Sequence, residues 1–178
     1  CSNDILGVSI SLPNDHVLHL INVYNRSVPA NLTSPTIDQL DHLLQTGVDT
    51  PGSFSWVIGG DFNSLFEPLA GCGNLTDMED LAYGIPSLKD DRPANATKIA
   101  LQIFSFTVAH GLRACNGRSR SDTERAPTFK RALYSNIIDF FLLDVSSWTF
   151  FVDMFVSPRC ESDHDPLTML LNFSLSPS

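Results

Sequence analysis

The run Ile137-Ile138-Asp139-Phe140-Phe141-Leu142-Leu143 places one carboxylate among six apolar residues. Runs of this kind are interior strands covered on both faces, so the chain must fold in layers with this segment in the middle. A charge inside such a strand costs several kcal/mol in effective terms unless it is paired, so Asp139 needs a partner from elsewhere in the chain. A structural salt bridge would serve. So would a histidine or a neighbour in a metal site.

Other segments supply the rest of the layers. Ile5 to Leu12 and Val17 to Tyr24 read as two strands joined by the turn residues Pro13, Asn14 and Asp15, an antiparallel hairpin. After a loop from Asn25 to Pro35, apolar residues at Ile37, Leu40, Leu43 and Leu44 recur at helical spacing, ending near Gly47. Phe54 to Ile58 reads as a short buried strand broken by a tight turn at Gly59 and Gly60. Gly71 to Asn95 is turn-rich and acidic, an irregular excursion rather than a linker. Ala96 to His110 resumes a helical pattern, with Ile99, Ile103, Phe106 and Ala109 on one face. Thr149 to Phe155 and Leu167 to Leu175 complete the interior strands. Strands grouped with helices between them, and including a hairpin, predict an α+β class of stacked sheets flanked by helices.

At 178 residues the chain suits one domain, residues 1–178. Its 43% apolar and 17% charged composition is that of a packed fold rather than a disordered chain. It opens on Cys1 and enters an apolar strand almost at once, so a preceding segment is expected. No apolar stretch is long enough to span a bilayer, and no signal pattern opens the chain, so no membrane partner is expected. Cys1, Cys72, Cys115 and Cys160 are far apart and form no metal-binding pair, so reduced thiols are expected. Asn25, Asn31, Asn74, Asn95 and Asn172 head glycosylation sequons, which keeps a secreted origin open, although Asn172 falls in the expected last strand, where no glycan fits. The net charge of −9 argues against a broad basic surface for nucleic acid. Local contacts from Arg113, Arg118, Arg120, Arg125, Lys130 and Arg131 would be needed, in a stretch that reads equally as a solvated loop.

Three short motifs carry chemistry. Gly-Gly-Asp61-Phe-Asn63 follows a buried strand, so a carboxylate and an amide two residues apart emerge together. Asp61 there could bind a hard cation or orient a water, and Asn63 could donate to a phosphate oxygen; alone, the pair equally suits an ordinary turn. Ser162-Asp163-His164 precedes the final strand. Adjacent residues on a strand do not face each other, so His164 looks for a different acid, and Asp139 is the candidate to fix its tautomer.

In this order, Gly-Asp-Phe-Asn after a strand, Ile-Asp-Phe inside one and Ser-Asp-His before another, the chain resembles the endonuclease/exonuclease/phosphatase superfamily. It looks most like the endonuclease domain of non-LTR (LINE-type) retrotransposons, over about residues 5–173. The resemblance implies a four-layer α/β/β/α sandwich of the DNase-I type, missing its first strands and helix, and metal-dependent phosphodiester hydrolysis with Mg²⁺ or Mn²⁺. It implies that Asp61 orients or deprotonates the attacking water, that Asn63 holds a phosphate oxygen, and that His164, steered by Asp139, stabilises charge on the phosphate. Asp163 would serve the metal or the leaving oxygen. Tyr24 matches a phosphate-contacting tyrosine, and Thr128 and Ser162 match lesser polar contacts. The family's principal metal ligand, a Glu upstream of the hairpin, has no counterpart in this chain. The implied partners are DNA and a reverse-transcriptase domain in the same polyprotein, and the implied location is the nucleus. A remnant without catalysis, a secreted deoxyribonuclease and a small-molecule phosphodiesterase are the alternatives.

Overall fold

The computed structural model describes residues 4–29, 31–47, 53–64, 85, 97–123, 126–131, 134–158 and 162–174. Most of the acidic excursion from Gly71 to Asn95 lies outside these residues, as do Arg125, Cys1, Cys72, Cys160, Asn74 and Asn95. Strand β1 (Ile5–Ser11) turns through a short 3-10 segment (Pro13–Asp15) into β2 (His16–Tyr24), the expected hairpin. Helix α1 (Pro35–Gly47) carries the chain to β3 (Ser53–Asp61), which pairs parallel with β2. Helix α2 (Lys98–Ala109) leads to β4 (Leu112–Ala114), then β5 (Phe129–Arg131), β6 (Tyr134–Asn136) and β7 (Asp139–Asp144). A second 3-10 segment, Ser146–Thr149, precedes β8 (Phe151–Val156) and β9 (Leu167–Leu171). The main sheet runs β1-β2-β3-β7-β4, with β5-β6 and β8-β9 as two-stranded partners.

The two helices among the described residues start where their sequences supply a cap. Ser34 Oγ accepts from the N–H groups of Thr36 and Ile37 ahead of Pro35, and Thr97 Oγ1 accepts from Ala100 N–H at 3.1 Å. Each helix buries one stripe, Ile37, Leu40 and Leu44 from α1 and Ile99, Ile103 and Phe106 from α2, against Ile21, Val23, Ile58, Phe62, Phe140 and Leu142 of the main sheet. The opposite face of that sheet presents Leu18, Val57, Phe141 and Leu143 to Trp148, Phe151, Met154 and Met169 around β8 and β9. The described residues thus form three layers: helices, main sheet, second sheet. Phe62 and Phe140 meet edge to face at 6.0 Å and are fully buried; each contributes about 1.5–3 kcal/mol through area alone.

Three expectations need correction. Gly59 and Gly60 do not form a turn. They continue β3 to Asp61, at positions with little room for a side chain: a Cβ on Gly59 would lie 2.4 Å from the Phe141 ring, and one on Gly60 would lie 2.0 Å from the Val23 carbonyl oxygen. The last strand stops at Leu171 rather than Leu175, and Asn172 is exposed just beyond it, with its Oδ1 accepting from Ser174 N–H. Among the described sequons the fully buried one is Asn25 instead. Arg113 is buried in β4, its guanidinium donating to the Leu112 carbonyl, so it is no surface contact for a phosphate.

Candidate active site

The register of the main sheet builds the site. Tyr24 pairs with Asp61 across β2 and β3, and Asp61 pairs with Asp139 across β3 and β7. Residues that are cross-strand partners point to the same face. Here the face is the one toward β8 and β9, because Val57 and Phe141, each an even number of residues away, pack on that side. Three chemically active side chains therefore stand in one row at the end of the sheet. A one-residue slip would turn all of one strand's members into the helical layer.

The segment before β9 closes over this row. Phe129 pairs with His164 in an isolated bridge, the two ring centroids 5.1 Å apart in an edge-to-face arrangement, and Asp165 N–H donates to the Thr128 carbonyl at 2.6 Å. His164 so placed turns Nδ1 toward Asp139, 3.0 Å from Oδ2 and 3.2 Å from Oδ1. With its Nδ1 proton given to the carboxylate, the ring presents Nε2 outward, and when protonated it donates from both sides. Asp61, Asp139 and His164 each offer a ligand atom within 4.8 Å of the others.

Burial pushes the Asp61 carboxyl above its usual value, against the pull of Asn63's hydrogen bonds; the nearby Asp139 charge raises it further and His164 lowers it. Burial likewise raises Asp139, opposed by hydrogen bonds from Thr128 and His164. Two carboxylates held close together in a partly dry site, each biased toward its neutral form, are groups poised for proton transfer or cation binding. Asp61 and Asp139 suit a hard divalent cation, which takes one or two carboxylates and keeps several waters; each Asp61 oxygen accepts one hydrogen bond from Asn63 and retains a further lone pair.

The remaining sequence candidates fall in different places. Asn63 sits in the left-handed region (φ 45°), which asparagine tolerates. Its backbone N–H and its Nδ2 donate to the two Asp61 oxygens, and Nδ2 also donates to the Asn25 carbonyl. Its side-chain amide is thus shared between the Asp61 carboxylate and the Asn25 carbonyl. Tyr24 is 52% exposed beside the row. Ser162 is exposed and accepts from His164 N–H at 3.0 Å, forming the tight turn that presents the imidazole. Thr128 is fully buried, its Oγ1 accepting from the N–H groups of Ile138 and Asp139. The Asp163 carboxylate is not in the cluster; it pairs with Arg131 at 3.3 Å. Asp4, the acidic residue ahead of β1, is buried in an ion pair with Arg26 at 3.0 Å.

Sequence reasoning missed the supporting residues. Asn25 was read only as a sequon; its amide donates to the Phe62 carbonyl and accepts from Ser34, tying the end of β2 to the start of α1 and to the Asp61 loop. Asp165 is 3% exposed, with one oxygen on Lys130 and the other unsatisfied. Its signal in the sequence is faint: an acid next to Pro166, directly after Ser162-Asp163-His164. A groove of about 720 Å³ opens beside Asp139 and His164, lined by Asn22, Gly59, Gly60, Ser162, Pro166 and Met169 among others.

The fold has solved counterparts. The endonuclease domain of TRAS1, a telomere-specific non-LTR retrotransposon, superposes with a TM-score of 0.62 at 16% identity, covering 98% of this chain and 64% of that one. The fold is that of the endonuclease/exonuclease/phosphatase superfamily. A 3′ phosphatase from Neisseria bound to a product DNA hairpin matches at a TM-score of 0.57 and 17% identity, over 96% of this chain and 71% of that one. The AP endonuclease of Leishmania major matches at 0.58 and 14%, over 96% and 55%. The endonuclease/exonuclease/phosphatase fold here thus spans 64% of the TRAS1 domain's length. No protein-family model and no curated protein sequence matches the chain.

Proposed function

We propose that this chain is the DNA-nicking endonuclease part of a retrotransposon polyprotein, hydrolysing a phosphodiester with the help of Mg²⁺ or Mn²⁺. The observation that carries the reading is the row of Tyr24, Asp61 and Asp139 at one sheet end, closed by His164 from the facing layer. Hydrolysis of a phosphodiester needs an activated water, neutralisation of the charge that builds on phosphorus-bound oxygens, and help for the leaving oxygen.

Asp61, its carboxyl raised by burial and fixed by Asn63, orients the water and takes its proton. His164, anchored through Nδ1 by Asp139, donates from Nε2 in its protonated form to a non-bridging phosphate oxygen. The exposed Tyr24 hydroxyl reaches the same phosphate from the next strand. Asp61 and Asp139 would hold the cation, which supplies charge neutralisation when bound. Asp163 stands outside this cluster, in an ion pair with Arg131.

DNA as the substrate is supported by the fold's counterparts, among them a retrotransposon endonuclease domain and a phosphatase holding a DNA hairpin. With a net charge of −9, DNA would be gripped locally, through residues such as the exposed Arg131, whose partner Asp163 adjoins His164. A reverse-transcriptase domain in the same polyprotein and action in the nucleus belong to this reading. Among the described residues no helix is long and apolar enough to cross a membrane.

The test is nicking of supercoiled plasmid with Mg²⁺ and with EDTA, comparing the parent with Asp61→Ala and His164→Ala. Metal-dependent nicking lost in both variants supports the reading; equal rates for parent and variants sink it. Hydrolysis of a small aryl phosphodiester without plasmid nicking would point to a small-molecule phosphodiesterase instead. Failure on both substrates would point to a non-catalytic remnant.

A further inference from the structure

One edge of β7 bonds to β3, and the other edge near Asp139 is held by the segment between β4 and β5. The accounting is complete from Asp139 N–H to the Phe141 carbonyl. Cys115 N–H donates to the Phe141 carbonyl at 2.8 Å, and Phe141 N–H donates to Asn116 Oδ1 at 3.3 Å. Asn116 Nδ2 donates to the Asp139 carbonyl at 3.1 Å, and Asp139 N–H donates to Thr128 Oγ1 at 3.0 Å. Strand β4 ends at Ala114, so the Asn116 side chain takes the place of a further strand residue. It is 1% exposed, where an unsatisfied amide would be costly.

The turn that delivers Asn116 is itself built. Gly117 adopts φ 78°, and the buried Asp122 carboxylate accepts from Gly117 N–H at 3.1 Å and Ala126 N–H at 2.6 Å. One acid therefore pins the residue after Asn116 and the residue two before Thr128. Asp139 is the first residue of β7, a position that would otherwise fray, yet its carboxylate must meet His164 from the facing layer.

We propose that Asn116 and Thr128 are positioning residues, which clamp the main chain of Asp139 from the open edge of β7 and so aim its carboxylate at His164. Neither touches reacting atoms. The inference rests on the phosphodiester reading for its meaning, but its test reads the pair directly. In protein carrying ¹⁵N-labelled histidine, the His164 Nδ1 proton is observed by NMR, with the backbone amide spectrum as the control for folding. Thr128→Val and Asn116→Leu are expected to lose that proton signal to solvent exchange while keeping the amide spectrum; Thr128→Ser, which keeps the hydroxyl, retains it. In the nicking assay the first two lower kcat by roughly 10–100-fold with KM unchanged, the usual effect of removing a group that orients an active one.

If Asn116→Leu does not fold, Asn116→Asp, which keeps the acceptor and loses the donor to Asp139, is measured with the same expectation. Retention of the Nδ1 proton and of full kcat in both Thr128→Val and the Asn116 variant overturns the proposal. Parent-like nicking by Asp139→Asn and His164→Ala would instead overturn the catalytic reading, and the NMR result would still decide the clamp.

Discussion

Replacing single glycines by alanine should cost stability in an order set by what each new methyl group meets. At Gly60 the Cβ would lie 2.0 Å from the Val23 oxygen, 2.8 Å from its nitrogen and 2.9 Å from its carbonyl carbon, with φ at +141°. These are backbone atoms of the neighbouring strand, so β2 and β3 must separate by about 1 Å to bring 2.0 Å up to the 3.0 Å below which real contacts are essentially not seen. Backbone strain of about 1–3 kcal/mol and overpacking of about 1–3 kcal/mol put Gly60→Ala on the order of 4 kcal/mol. That is a large share of a stability of about 5–15 kcal/mol. At Gly59 the clash, 2.4 Å, is with the Phe141 ring, a side chain that can turn away, so about 1–3 kcal/mol is expected. At Gly111 nothing lies within 4 Å and only φ +61° opposes the change, which costs about 1–2 kcal/mol. Urea unfolding followed by tryptophan fluorescence, with m-values compared, gives the ranking. A Gly60→Ala protein no less stable than Gly111→Ala would refute the close approach of β2 and β3, and with it the row at Tyr24 and Asp61.

Asp61→Asn should abolish nicking yet leave the protein at least as stable as the parent at neutral pH. Burial raises the folded-state pKa of Asp61, so its contribution to stability is present below the ordinary aspartate value and is lost as pH rises through the raised one. The variant's advantage, read from thermal midpoints, should therefore shrink toward zero in acid; an advantage that grows as pH falls would contradict the sign. Lys130→Met should destabilise by on the order of 3 kcal/mol, because it strips the partner from Asp165, whose other oxygen is already unsatisfied; a change within about 0.5 kcal/mol, typical of a surface site, would say the pair is solvated. Expressed in a glycosylating host, the folded protein should carry no glycan at Asn25, which is fully buried, while Asn31 and Asn172 are exposed; a glycan at Asn25 by peptide mass spectrometry would contradict the β2–α1 junction.

The long elements were legible because periodicity needs only a few residues to declare itself. The hairpin, both helices and the interior strand at Asp139 follow from spacing of apolar residues, and strand β7 with its lone acid pointed to a partner outside itself. Strands β4, β5 and β6, three residues each, are too short to show a period. Gly59 and Gly60 read as a turn because glycine punctuates chains; only the positions of Val23 and Phe141, far off in sequence, explain their place in a strand. The motif residues were visible one by one, but the row that unites Tyr24, Asp61 and Asp139 is a property of register. Asn25 and Asn116 serve through bonds to distant main chain, which no local pattern reveals.

Whether Asp61, Asp139 and His164 act as one device is decided by single-turnover nicking rates of the three alanine variants and of the triple variant under Mg²⁺. Groups that work as a unit lose nearly everything with the first removal, so each single variant should fall to within a few-fold of the triple. Losses that multiply from one substitution to the next, or a triple variant that still nicks at the parent rate, would contradict it.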